Sequence, residues 1–237
     1  MQAASITLFD FDSKLETPFS PRVWATRLLL NYKQIQHKTT WIHFSEIGAV
    51  LEAARVPPTR TTAPKYTVPA IIDGENIIAD SRAIAEYIER TYPERPVPIL
   101  AADHQKAIDS AAAVLRPLVV PNVVNHLEGR DAVYFRESRR VMFGKELHEI
   151  CPASQRDEMI GAFEVALTEL SDFVGQANEQ GWLFGKDGPA YEDFELAGWF
   201  IWAKVAGLPD LWERIESLND AKWSKLVSVV ESYMSVY

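Results

Sequence analysis

Apolar and polar residues change rhythm part-way along the chain. Near the start, Ser5-Ile6-Thr7-Leu8-Phe9 alternates and reads as a strand, and Pro21 to Lys33 places Trp24, Leu28 and Tyr32 at helical spacing. His37 to Phe44, with Thr39, Thr40, Trp41 and Ile42, reads as a second strand. An irregular stretch with Pro57, Pro58 and Pro64, holding a short helix, leads to two runs around a tight Asp73-Gly74 turn. Those runs, Thr67 to Asp73 and Asn76 to Ala79, form a hairpin-like pair, and Ser81 to Tyr92 is a helix with Ile84, Tyr87 and Ile88 inward.

The order is strand, helix, strand, short helix, strand, strand, helix. It predicts a thioredoxin-like α/β domain over 1–93 with a mixed four-stranded sheet, its last two strands antiparallel. Pro93, Pro96 and Pro98 stiffen a linker over 94–102. Beyond it strand signals vanish, and 103–237 reads as an all-α helical bundle, with helices over 103–127, 131–151, 152–180, 191–207 and from 220 to the end. Met159, Phe163, Leu167, Leu170 and Val174 recur at spacings of four, four, three and four, a stripe that a core contact explains.

Composition narrows the possible partners. With 24 basic and 33 acidic residues the formal charge is -9, which disfavours nucleic acid and anionic membrane, so an anionic ligand must be held by local donors. The one cysteine, Cys151, excludes an intrachain disulfide and a cysteine zinc cluster; it reads as a small buried hydrophobe. No leader pattern or membrane-length apolar run is evident, and a cytoplasmic protein is expected.

Three places could carry chemistry. Ser20-Pro21 is fully explained as a helix start, serine as N-cap and proline as first helical residue. A free hydroxyl beside the positive end of a helix would also stabilise a bound thiolate. Val68-Pro69 either opens an edge strand or, with a cis bond, leaves the Val68 peptide groups free to pair with an extended peptide. Asp80-Ser81 can cap the following helix, and the N–H groups there, with the Ser81 hydroxyl, make a carboxylate site. A tripeptide with a central thiol would meet Val68 through its cysteine backbone, Ser81 through its carboxylate and Ser20 through its sulfur.

Together, Ser20-Pro21-Arg22-Val23-Trp24, Val68-Pro69, Asp80-Ser81 and the helical second half resemble a glutathione S-transferase over essentially the full length. The helix from Ile78 to Pro96 and that from Ala190 to Trp202 resemble bacterial beta-etherase-type transferases and the fungal-specific FuA class. The resemblance implies glutathione as co-substrate, with Ser20 stabilising its thiolate. It implies Val68, ahead of Pro69, as backbone partner of the glutathione cysteine, and Asp80 and Ser81 at the γ-glutamyl end. It also implies a homodimer.

Two departures stand out. Ala190 replaces the Ser or Thr three residues before Asp193, predicting an incomplete capping box. The region from Phe44 to Pro64 does not match, which leaves Lys65 and His43 as candidates for the glycine carboxylate, each also readable as a surface residue. An aromatic-accepting groove is expected among Leu115 to Asn125, Tyr134, Phe135, Phe200 and Trp202. The expected activity is thiolate attack on a hydrophobic, aromatic electrophile, with release of a leaving group such as phenolate and a side activity on peroxides. A non-catalytic carrier of aromatic ligands, or an assembly module on the same fold, is the alternative.

Overall fold

The computed structural model describes residues 5–237. Strands β1 (Ile6–Phe11) and β2 (His37–Ile42) run parallel, joined by helix α1 (Pro21–Tyr32). Strand β3 (Ala70–Asp73) pairs antiparallel with β1, and β4 (Asn76–Ala79) antiparallel with β3, so the sheet order is β2-β1-β3-β4. This is the mixed, thioredoxin-like sheet that the sequence predicts. Its register brings Leu8 opposite Ile71, both fully buried. Gly74 closes the β3–β4 turn at φ +59°, a conformation that costs glycine little. Helix α2 (Ile47–Ala53) lies in the long connection, and α3 (Ser81–Thr91) follows β4.

The chain from Tyr92 to Ala101 holds neither helix nor strand. Seven helices follow: α4 (Ala102–Val123), α5 (Gly129–Phe143), α6 (Leu147–Ile150), α7 (Arg156–Val174), α8 (Tyr191–Ala206), α9 (Pro209–Ser217) and α10 (Lys222–Val230). The expected 131–151 helix is broken at Gly144, whose φ of 66° terminates α5, and α7 stops at Gly175 for the same reason. Helix α9, absent from the sequence reading, starts on Pro209 as its first residue. Phe163, Leu167 and Leu170 are buried as their spacing requires.

Residues Ala102–His126 are long and apolar enough to cross a membrane by length and composition alone, although Asp109 and Arg116 interrupt the apolar run. Half of the stretch is buried inside the protein, where α4 packs against α7 and α8, as a core helix does. Cys151 is also different from its reading: it is half-buried at the end of α6, with the Arg156 guanidinium 3.8 Å from its Sγ.

The interface that positions the site is between α1 and α8. At Gly198 a side-chain carbon would collide with the Pro21 carbonyl oxygen, so glycine sets the close approach of the two helices. From its other side α1 is held by Arg27, fully buried, which donates to Asp10 on β1 and Thr39 on β2, each at 2.9 Å. Burial pushes the Asp10 carboxyl up to about 6 even though Arg27 opposes the shift. Asp193, expected to sit in a defective cap, accepts the N–H of Ala190 and those of Leu183, Phe184 and Gly185, at 2.7–3.1 Å. Alanine at 190 keeps the backbone donor to the Asp193 carboxylate and removes only a side-chain acceptor for the Asp193 N–H, which donates to the Ala190 carbonyl at 3.1 Å.

Candidate functional site

A cleft of about 600 Å³ lies between the sheet domain and the helices, with Val68, Pro69, Asp80 and Ser81 on its wall. The Val68-Pro69 bond is cis, and β3 begins only at Ala70. Among the described residues the Val68 N–H and C=O make no hydrogen bond.

Asp80 is the N-cap of α3. Its Oδ1 accepts from Arg82 N–H at 3.0 Å and Ala83 N–H at 3.2 Å, while its backbone takes φ 79°. Such a conformation is rare for a residue with a side chain and costs on the order of 1–3 kcal/mol. Ser81 lines the cleft, and its hydroxyl has no hydrogen-bond partner among the described residues. Tyr191, fully buried on α8, donates to the Ser81 carbonyl at 3.0 Å.

Ser20 is the backbone N-cap of α1, but its side chain makes no capping bond. The hydroxyl is therefore not spent on the helix that it starts. Ser20 is buried and stands one residue outside the cleft wall, which its neighbour Pro21 lines. Lys65 is exposed on a smaller chamber of about 240 Å³; Phe11, Thr67 and Arg139 line both spaces, so the two adjoin. His43 is elsewhere. It faces a separate depression, with Nδ1 2.9 Å from Asp131 on α5, and is a contact between the two halves of the chain.

Several cleft residues were missed in the sequence. Arg22, the second residue of α1, is clamped between Asp109 at 2.7 Å and the buried Glu195. Gln105 donates to Glu195 at 3.0 Å and accepts from Arg82 at 3.1 Å, which joins α1, α3, α4 and α8 beneath the Ser81 end. Glu195 Oε2 and Trp199 Nε1 are buried without a partner. Arg116 on α4 and Arg139 on α5 also line the cleft, and Arg22 and Arg116 both face Trp199, at 5.4 and 5.0 Å from its ring centroid. Of the expected aromatic groove, Trp202 lines the cleft and Tyr134 the smaller chamber, while Phe135 and Phe200 belong to the core.

Comparison with known proteins decides what this arrangement belongs to. The glutathione S-transferase N-terminal domain family matches residues 15–96 and the glutathione S-transferase C-terminal domain family matches residues 100–233. The chain belongs to the glutathione S-transferase family. Glutathione transferase activity is the activity of that family. A glutathione S-transferase of Ceriporiopsis subvermispora, solved in complex with glutathione, is 29% identical and superposes with a TM-score of 0.90 over 98% of this chain and 99% of its own. Glutathione transferase GSTFuA3 of Phanerochaete chrysosporium is also 29% identical, with a TM-score of 0.87 over the whole of both chains. A glutathione S-transferase-like protein of Aspergillus flavus, ustS, is 26% identical over 95% of this chain and 89% of its own. The resemblance to the FuA class is thus matched by solved fungal relatives, and the cleft that Val68 and Ser81 line sits where the sheet domain meets the bundle.

Proposed function

We propose that this transferase binds glutathione in the large cleft and directs its thiolate at hydrophobic aromatic electrophiles. The glutathione cysteine pairs with the Val68 N–H and C=O, as a strand added to a sheet edge. The γ-glutamyl carboxylate takes the Ser81 N–H and hydroxyl at the start of α3, with the Asp80 carboxylate and the unpartnered Glu195 Oε2 available to its ammonium. Lys65 is the candidate left for the glycine carboxylate.

The Ser20 hydroxyl donates to the sulfur, and the N-terminus of α1 adds a partial positive charge of about half a unit. Together they lower the thiol pKa toward neutrality, which raises the thiolate fraction available for attack. With an aryl phenacyl ether, the sulfur forms the C–S bond as the C–O bond breaks, and phenolate leaves with the bonding pair. The observation that carries this reading is the Ser20 hydroxyl, which caps a helix by position yet makes no capping bond.

The test is glutathione-dependent phenol release from such an ether. Release that falls by about two orders of magnitude in Ser20→Ala supports the serine role. Release that is equal in both proteins removes it, and ligand binding with no release favours a carrier of aromatic compounds. A homodimer and a cytoplasmic setting belong to the same proposal and are read by sedimentation and by localisation in the source cell.

A further inference from the structure

The cleft wall carries five arginines and three carboxylates, although the protein as a whole is strongly acidic. The five arginines fall into two groups. Arg22 and Arg82, at the Ser81 end, are paired with Asp109, Glu192 and Glu195. Arg60, Arg116 and Arg139 have no carboxylate within 4.0 Å among the described residues.

Two of these unpaired groups are held by aromatic rings in place of carboxylates. The Arg116 guanidinium stands 5.0 Å from the centroid of Trp199, whose buried indole N–H lacks a partner. Arg139 stands 4.3 Å from the centroid of Phe135, and its one side-chain hydrogen bond goes to Ser138 at 3.3 Å. A ring face orients a guanidinium and leaves its edge donors free. Burial pulls both guanidinium groups below the usual value, Arg139 to about 10; Arg22 and then Arg60 add repulsion at Arg116, and Arg60 adds it at Arg139. Asp109 acts on Arg116 at longer range, but its carboxylate is already engaged by Arg22. Both arginines remain charged at neutral pH. Two half-buried cations without carboxylate partners, on a wall that Val120, Phe143 and Trp202 also line, are placed to receive an anion.

We infer that the cleft beyond the Ser81 end selects aromatic or conjugated carboxylates, the acid group drawn by the unpaired cations Arg116 and Arg139 while the ring lies against the apolar part of the wall. The inference deepens the proposed transferase reading, because it takes the Ser81 end to be filled by glutathione. The acid group anchors the acceptor and does not react.

The test is calorimetric titration of the glutathione-saturated protein with naphthoate and with its neutral isostere naphthamide. Naphthoate is expected to bind about tenfold more tightly or better, as a charge-assisted hydrogen-bonding site requires. In Arg116→Gln and in Arg139→Gln the ratio of the two affinities is expected to fall toward one. Equal affinities in the unaltered protein overturn the inference. So does a preference that survives both substitutions, or a loss of glutathione affinity in the variants, which would give these arginines to glutathione itself. If glutathione does not bind at all, the transferase reading fails separately, and titration of the free protein still decides the carboxylate preference.

Discussion

The Tyr191 hydroxyl donates to the Ser81 carbonyl at 3.0 Å, so the helical half of the chain fixes the residue that opens α3 in the sheet domain. Tyr191 is fully buried, and burial pushes its hydroxyl up to about 12, so it stays a neutral donor. Tyr191→Phe is expected to cost about 1 kcal/mol of stability in a denaturant titration. It is also expected to weaken glutathione binding several-fold, because Ser81 loses a positional restraint. Unchanged affinity would mean that α3 is held by its own cap.

That cap has its own test at Asp80. Asp80→Ala removes two capping bonds and leaves a side-chain-bearing residue at φ 79°, whereas Asp80→Asn keeps an acceptor and a residue tolerant of positive φ. The alanine variant is expected to lose about 1–2 kcal/mol and the asparagine variant a fraction of that. Equal losses in thermal unfolding would show that charge, not capping geometry, matters at this position.

Gly198 sets the distance between α8 and the first turn of α1. Gly198→Ala would ordinarily stabilise a helix interior by roughly 0.5–1 kcal/mol. Here the added carbon meets the Pro21 carbonyl, so the variant is expected to be less stable than the unaltered protein. Displacement of Pro21 also moves Ser20, so glutathione-dependent activity should fall by more than glutathione affinity. A stabilised, fully active variant would contradict the packing.

The contact between His43 and Asp131 has a pH signature. Burial alone would raise the Asp131 carboxyl, but the Ser45 N–H and hydroxyl and then His43 hold it below the usual 3.8. A carboxylate whose folded pKa is depressed contributes its stability above the unfolded value and loses it as pH falls through the folded one. Asp131→Asn is therefore expected to cost about 1–3 kcal/mol at neutral pH, with the difference from the unaltered protein shrinking below about pH 4. A difference that does not change with pH would rule out an ionised Asp131 as the source.

The fold was legible because its elements announce themselves locally. The alternation at Ile6 to Phe9, the Asp73-Gly74 turn and the stripe from Met159 to Leu170 each need only neighbouring residues to be read. Helix ends at Gly144 and Gly175 were missed because an apolar rhythm continued past them while the backbone turned left-handed. Val68, Asp80 and Ser81 reach one cleft wall because they lie close in sequence on one hairpin and helix start. His43 was misplaced because proximity to Asp131 arises only when α5 docks. Arg139 and Trp199 carry no local signal at all. Arg116 does, as a lone cation inside the apolar run from Leu115 to Val124, but its ring partner is on another helix.

The central claim is that Ser20 holds a thiolate, and the pKa of the glutathione thiol in its complex with the protein tests it most directly. The measurement is the ultraviolet absorbance of the thiolate as a function of pH, in the unaltered protein and in Ser20→Ala. The expected result is a thiol pKa lowered from about 8.5 to below ~7.5 in the unaltered protein, returning upward by about one unit or more in the variant. A bound thiol that titrates at the same pH in both proteins would contradict the assignment.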